Sequence, residues 1–268
     1  GGVGTRFWPM STPERPKQFL ALVDSKKTMI ESAIDRFSKN FGKHSVWVVS
    51  HQNFLPLLRR HAKGVRRSQW LLEPQGKNTA PCIGWAALRL LKQDPEAIMV
   101  VSPSDHWISR EKYFTGDVRK AVEFVKKNPT ALVTFGAKTE GPETGYGYIE
   151  SAVEGAAVSP VKRFIEKPNL ARARRMVREG RYLWNTGLFV WRADAIVEEI
   201  KRQLPVVYQG LARLNRRNLA QVYRSFPSIS IDHGVLEGSA NVYVVKARFQ
   251  WTDVGSWKSL SEIQKSRA

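Results

Sequence analysis

Cysteine is nearly absent. The one thiol, Cys82, excludes an internal disulfide, and no neighbouring residues give it metal-ligand spacing. It reads as a small buried residue near a helix start, in a protein suited to a reducing cytoplasm. Long apolar runs are missing too. Ala97-Ile98-Met99-Val100-Val101 is far too short to cross a bilayer, which argues against a membrane partner, and nothing at the N-terminus reads as a signal peptide. No Pro/Gly/Ser-rich linker, repeat or low-complexity tract divides the 268 residues. The expectation is a single domain whose second lobe folds onto the main sheet. Acidic residues are scarce, 24 Asp+Glu against 43 Lys+Arg, for a net charge of +19. Such an excess favours anionic partners. The cations are spread through Arg59-Arg60, Arg66-Arg67, residues 172–178 and residues 213–217, mostly in segments that read as helices. No nucleic-acid-binding module accompanies them, so solvated helix faces and phosphorylated small molecules explain the charge better than nucleic acid.

What is present alternates between two periods. Val46-Trp47-Val48-Val49-Ser50 and Trp70-Leu71-Leu72-Glu73 read as strands, separated by the helical pattern Phe54, Leu55, Leu57, Leu58. Residues 81–91 form an apolar helix whose N-cap is Asn78 or Thr79. A buried strand over 98–101 runs into Ser102-Pro103-Ser104-Asp105-His106, followed by a helix over 114–127 and a strand over 131–135. This β-α-β-α rhythm predicts an α/β fold with a largely parallel sheet covered on both faces. Ligands of such sheets sit beyond the carboxyl ends of the strands, which places Asp105 at the ligand edge. After residue 136 the pattern changes. Residues 144–149 and 161–168 read as strands with polar ends, 171–179 as a helix, and 241–245 as a late strand. Residues 182–191 read as a strand broken by Asn185-Thr186-Gly187, and 251–257 as a turn-rich segment. Trp8, Phe19 and Trp85 are expected in the core, and His51, His61 and His233 at the surface or satisfied.

The first six residues have a different character. Gly1, Gly2 and Gly4 let the backbone approach an anion with its N–H groups turned inward. Thr5 adds a hydroxyl, Arg6 a guanidinium, and Lys17 in Pro16-Lys17-Gln18-Phe19-Leu20 an ammonium. That is equipment for a polyphosphate.

These segments together resemble, in order, those of mannose-1-phosphate guanylyltransferases. The resemblance is carried by residues 1–9 and 16–20, by Glu73-Pro74 through Asn78-Thr79-Ala80-Pro81, and by Ser102-Pro103-Ser104-Asp105-His106. Thr144-Gly145-Tyr146-Gly147-Tyr148-Ile149, Glu166-Lys167-Pro168, Trp184-Asn185-Thr186-Gly187 and Trp251-Thr252-Asp253-Val254-Gly255-Ser256-Trp257 complete it. The match covers essentially the whole chain. Residues 78–81 and 251–257 point to the guanylyl/mannose branch over thymidylyl-, uridylyl- or adenylyltransferases.

The resemblance implies a Rossmann-like nucleotidyltransferase fold, with a mixed, mostly parallel sheet flanked by helices and a smaller sugar-binding lobe. Residues 1–136 would serve mainly the nucleotide, and residues 137–268 mainly the sugar phosphate while also supplying a metal aspartate. The implied reaction transfers GMP from GTP to mannose 1-phosphate, giving GDP-mannose and pyrophosphate, with Mg²⁺ or another divalent cation; a homodimer is allowed. By position, the implied catalytic set is Arg6, Lys17, Asp105 and Asp253, with both aspartates on the metal. Gly1, Gly2, Gly4, Thr5, Arg6, Lys17, Asn78, Thr79 and Asp105 would hold the nucleotide. Gly145, Glu166, Lys167 and Asn185 would hold the sugar phosphate. Residue type alone leaves alternatives: Asp105 as a helix N-cap, Asp253 as an Asx-turn, Asn185 as a turn residue with Gly187.

Such relatives place a short apolar strand ahead of the glycine turn, and many continue past residue 257 into a tail or an appended isomerase. Isomerase activity is not expected of residues 1–268. The competing readings are a nucleotidyltransferase for another nucleotide or sugar 1-phosphate, a non-catalytic regulatory homologue that binds sugar nucleotides, and a basic nucleic-acid binder.

Overall fold

A computed structural model of the protein describes residues 7–153 and 155–267. Gly1, Gly2, Gly4, Thr5 and Arg6, the expected triphosphate loop, lie outside the described residues. In chain order the strands are β1 (Val48–His51), β2 (Trp70–Glu73), β3 (Ile98–Val101), β4 (Trp107–Ile108), β5 (Leu132–Lys138), β6 (Tyr148–Ser151), β7 (Ser159–Ile165), β8 (Tyr182–Arg192), β9 (Val242–Lys246) and β10 (Trp251–Thr252). The helices are α1 (Met29–Phe41), α2 (Leu55–His61), α3 (Thr79–Leu91), α4 (Glu111–Lys127), α5 (Leu170–Glu179), α6 (Ala193–Gln203), α7 (Pro205–Ala212), α8 (Leu219–Ser225), α9 (Ile231–Gly234) and α10 (Trp257–Arg267). Among the described residues no helix is long and apolar enough to cross a membrane. The chain forms two compact units. One takes the described residues up to Gly76 with Pro103–Glu111 and the segment from Trp251 onward; the other takes Lys77–Ser102 and Lys112–Gln250.

The first unit is held by two apolar clusters. Helix α1 starts at a reciprocal cap, in which the Thr28 hydroxyl accepts from the Glu31 N–H and the Glu31 carboxylate accepts from the Thr28 N–H at 2.8 Å. Its Ile30 and Ile34 then pack with Phe19, Val46, Leu58 and Val65. Strands β1 and β2 pair in parallel, Val48 opposite Trp70, with α2 as their crossover. The second cluster joins Phe7, Leu20, Leu22 and Met29 to Val254, Leu260 and Ile263. A two-residue antiparallel bridge, Trp251 opposite Ile108 and Thr252 opposite Trp107, ties β10 to β4.

The second unit is a six-stranded sheet in the order β3-β8-β5-β9-β7-β6, with β6 also pairing to β8. Here the α/β class holds and the expected strand polarity does not. Strands β3, β5 and β9 do share one direction, as the βαβ rhythm requires, but only β5 and β9 are neighbours. The late strand β8 inserts antiparallel between β3 and β5, so most pairings are antiparallel. Strand β8 is also continuous through Asn185-Thr186-Gly187. The irregularity lies across from it, where the register of β5 shifts between Thr134 and Gly136. Side chains of the two sheet faces and of α6 supply a core of fully buried residues that includes Leu132, Phe135, Tyr148, Val190, Trp191 and Ile196. The aromatics divide: Phe19 is buried as expected, Trp85 is half-buried against the Tyr223 ring, and Trp8 is 75% exposed. Cys82 is likewise only half-buried.

Candidate active site

Two clusters gather the expected residues, one in each unit. In the first, Pro16 caps a single 3-10 turn over Lys17–Phe19, which carries Lys17 into the interior at 8% exposure. A buried ammonium is tolerated only with close acceptors. Lys17 Nζ donates to the backbone carbonyl of Asp253, reaches the Val254 carbonyl at 3.4 Å, and pairs with Asp105 Oδ2 at 2.9 Å. The β4–β10 bridge explains why Asp105 and Asp253 meet: one stands two residues before β4 and the other one residue after β10. Burial opposes the charge on Asp105, but the adjacent Lys17 ammonium outweighs burial and holds the carboxyl below its ordinary value.

Two further features set this loop. Val254 has φ of 49° and is fully buried. A β-branched residue there is strained, and the strain presents two successive carbonyls to one ammonium. Trp251 donates its indole N–H to His106 Nδ1 at 3.0 Å, edge to face with the ring. His106 thus braces the segment carrying Asp105, which its sequence position did not indicate.

The second cluster surrounds Asn185, which is 8% exposed. Its Oδ1 accepts from Thr134 Oγ1 and its Nδ2 donates to Asp232 Oδ1, both at 2.8 Å. The Asn185 N–H donates to the Gly147 carbonyl at 2.8 Å. A Cβ on Gly147 would stand 2.7 Å from Glu166 Oε2 and 3.2 Å from Asn185 Cβ, whereas one on Gly145 would meet nothing within 4 Å. Gly147, not Gly145, is therefore the glycine packed against the cluster. Glu166 pairs with Lys167 Nζ at 2.8 Å, and its N–H donates to Glu237 Oε1 at 2.9 Å. Lys167 adopts φ of 43°. Burial, reinforced by the Glu166 carboxylate, pushes the Asp232 carboxyl up to about 6 against the Asn185 hydrogen bond. Sequence reasoning missed Asp232 and Glu237. Asp232 sits in a four-residue helix capped by Ser230, so its local signal is that of an acidic first-turn residue.

Also in the second unit, Asn78 caps α3 at φ of 64°, its side chain accepting from the Thr79 N–H. The Thr79 hydroxyl accepts from the Ile231 N–H at 2.8 Å, one residue before Asp232. Both residues are exposed, so the cap and a ligand contact are compatible.

Asp105 and Asp253 are residues of the type that could hold a divalent cation. Both offer hard oxygen donors, and Asp105 is held ionised. Among the described residues no group of three or more potential ligands forms a closed cage. Two carboxylates sharing the ion with phosphate oxygens and water is a usual arrangement for Mg²⁺ at nucleotide sites.

Among known proteins, the chain is 38% identical over 280 residues to the xanthan biosynthesis protein XanB of Xanthomonas campestris pv. campestris, matching 99% of this chain and 58% of that protein. It is 36% identical over 285 residues to the mannose-1-phosphate guanylyltransferase of Escherichia coli K12, matching 100% of this chain and 59% of that one. The chain therefore spans less than two thirds of the length of these curated relatives. Among solved structures, one described as a mannose-1-phosphate geranyltransferase from Thermus thermophilus superposes with a TM-score of 0.89 at 32% identity, over 98% of this chain and 77% of that one. The family model described as nucleotidyl transferase matches residues 1–268, and the chain belongs to that family.

Proposed function

We propose that the protein transfers GMP from GTP to mannose 1-phosphate, releasing pyrophosphate and GDP-mannose. The observation that carries this reading is the buried Lys17 ammonium, shared between the Asp105 carboxylate and the Asp253–Val254 carbonyls. The family match and the names of the relatives support it.

An oxygen of mannose 1-phosphate attacks the α-phosphorus of GTP, the bond from that phosphorus to the β-bridging oxygen breaks, and pyrophosphate leaves. The nucleophile is already an anion, so no general base is needed. The obstacle is repulsion between two polyanions, and positioning with charge neutralisation dominates. Lys17 neutralises the α-phosphate, and Arg6 with the Gly1, Gly2, Gly4 and Thr5 backbone takes the outer phosphates. Asp105 and Asp253 would hold Mg²⁺, which when bound would supply charge stabilisation at the phosphate oxygens. Asn78 and Thr79 orient the nucleoside. Glu166, Asn185, Asp232 and the backbone at Gly145 and Gly147 accept from and donate to the sugar hydroxyls, while Lys167 binds the sugar's phosphate.

The test is pyrophosphate release by the purified protein with Mg²⁺ across a panel of nucleoside triphosphates and sugar 1-phosphates. GTP with mannose 1-phosphate is expected to be the best pair. No release with that pair refutes the proposal; faster release with another pair reassigns the substrates.

A further inference from the structure

A cavity of about 240 Å³ opens in the second unit beside α5, with Arg163 of β7, Arg172, Arg175 and Glu179 of α5, Arg181 just ahead of β8 and Tyr182 at its start in its wall. Four guanidinium groups thus face one carboxylate. Part of that charge is already spoken for. Arg181 pairs with Glu179 at 2.9 Å and with the buried Glu150 at 3.2 Å, and Arg163 approaches Glu150 at 3.6 Å. Glu150 also accepts from the Tyr182 hydroxyl at 3.1 Å, so the floor of the wall is fixed. Arg175 reaches Glu179 only at 3.9 Å. Among the described residues no carboxylate stands within ion-pairing distance of Arg172. The wall keeps an excess of positive charge: Arg163 and Arg181 are held by Glu150 and Glu179, and the uncompensated charge lies on Arg172 and Arg175.

This cavity is separate from the cluster around Asn185. Along a strand, residues an odd number apart point to opposite faces. On β8, Tyr182 lines the cavity and Asn185, at the centre of the other cluster, lies three residues on. The arginine cavity and the Asn185–Glu166 cluster therefore occupy opposite faces of the sheet. Helix α5 covers the arginine face, and Asn169 caps it by accepting from the Arg172 N–H at 2.9 Å.

We propose that this cavity is a second anion site, which binds a small phosphate-bearing molecule. Guanidinium forks match phosphate oxygens bidentately, and their planar geometry favours phosphate over a compact halide. The volume is below that of typical pockets for drug-sized ligands, about 300–1,000 Å³, and suits a phosphate group or a short phosphomonoester. A duplex or a bilayer would need a continuous basic surface rather than a single recess beside one helix.

The experiment is calorimetric titration of the whole protein with inorganic phosphate and, separately, with glycerol phosphate, at ionic strength held constant with chloride. The variants are R172A/R175A and, as a charge-matched control on the same helix but outside the cavity wall, R174A/R178A. All four positions are exposed, and circular dichroism with unliganded melting checks that both variants fold. Wild type and R174A/R178A should bind alike, while R172A/R175A weakens binding by at least about tenfold. Any phosphate taken by the Lys17 cluster is common to all three proteins, so the difference reports on α5 alone. A preference for phosphate identifies a free-anion site, and a preference for glycerol phosphate a metabolite site. Unchanged binding in R172A/R175A overturns the proposal. So does equal weakening in R174A/R178A, which would mean a diffuse field. So does loss of duplex or vesicle binding in R172A/R175A with phosphate binding intact.

Discussion

Replacing Asp232 with Asn should stabilise the protein near neutral pH while impairing the sugar side of the reaction. The carboxyl is raised from 3.8 to about 6 by burial and by Glu166. Below pH about 4 the group is protonated in both folded and unfolded chains and contributes no difference. Between about 4 and 6 the folded state holds a proton that the unfolded state has released, so stability falls as pH rises through this window. Above about 6 the group is charged in both states and the loss is complete. A shift of about two units corresponds to about 3 kcal/mol. Asn removes the charge and keeps a carbonyl oxygen to accept from Asn185 Nδ2, which now donates to Asp232 Oδ1 at 2.8 Å. D232N should therefore match wild type at pH 4 and exceed it at pH 7.5 by up to about 3 kcal/mol. Urea unfolding of both proteins from pH 4 to 8 measures the two slopes. Parallel curves, or a variant less stable at pH 7.5, would refute the argument. The same variant should raise KM for mannose 1-phosphate more than KM for GTP.

D253N should fold normally, D105N should fold with a lower melting temperature because the buried Lys17 ammonium loses its counter-charge, and both should lose Mg²⁺-dependent pyrophosphate release; unchanged turnover in either removes that residue from the site. G147A should leave the melting temperature nearly unchanged and raise KM for the sugar phosphate by about tenfold, because its Cβ displaces the Glu166 carboxylate, 2.7 Å away, rather than the backbone. G136A should instead cost about 1–3 kcal/mol in denaturant unfolding, since its Cβ would lie 2.7 Å from Leu183 Cβ and 3.1 Å from Val244 Cγ2. If G136A is as stable as wild type, the close packing at the β5 irregularity is not tight.

The local elements were legible because they depend on nearby residues. The strands at 70–73 and 98–101 and the Asn78 cap on α3 stand where periodicity and capping chemistry put them, although only Met99 of the second strand is buried, because β3 is the edge of its sheet. Sheet order was not, because the insertion of β8 between β3 and β5 joins residues about 90 and 50 positions apart, and a period of two carries no information about which strands pair. The same limit explains Asn185-Thr186-Gly187, which reads as a break because glycine and asparagine favour turns. Gly187 does take a positive φ, of 69°, but the cross-strand shift in β5 absorbs it and β8 continues. Asp232 was hidden for a related reason. Its burial and its partner Asn185 come from 47 residues away, while its immediate neighbours spell only a helix cap.

Backbone strain separates the candidate site from the rest of the fold in a way composition cannot. Besides Arg110, the described non-glycine residues with positive φ are Asn78, Lys167 and Val254. Each of these three lies in a segment singled out for its chemistry, and each such conformation costs of order 1–3 kcal/mol. Glycine at any of the three would remove the strain, so the side chain present must repay it. Asn78 caps the Thr79 N–H, and Lys167 pairs with Glu166. Val254 fills the cluster with Leu260 and Ile263 while its own carbonyl and that of Asp253 face Lys17. The apolar side chain thus anchors a backbone that does polar work. A glycine there would relax φ yet release the carbonyls from Lys17, and with them the spacing of Asp253 from Asp105.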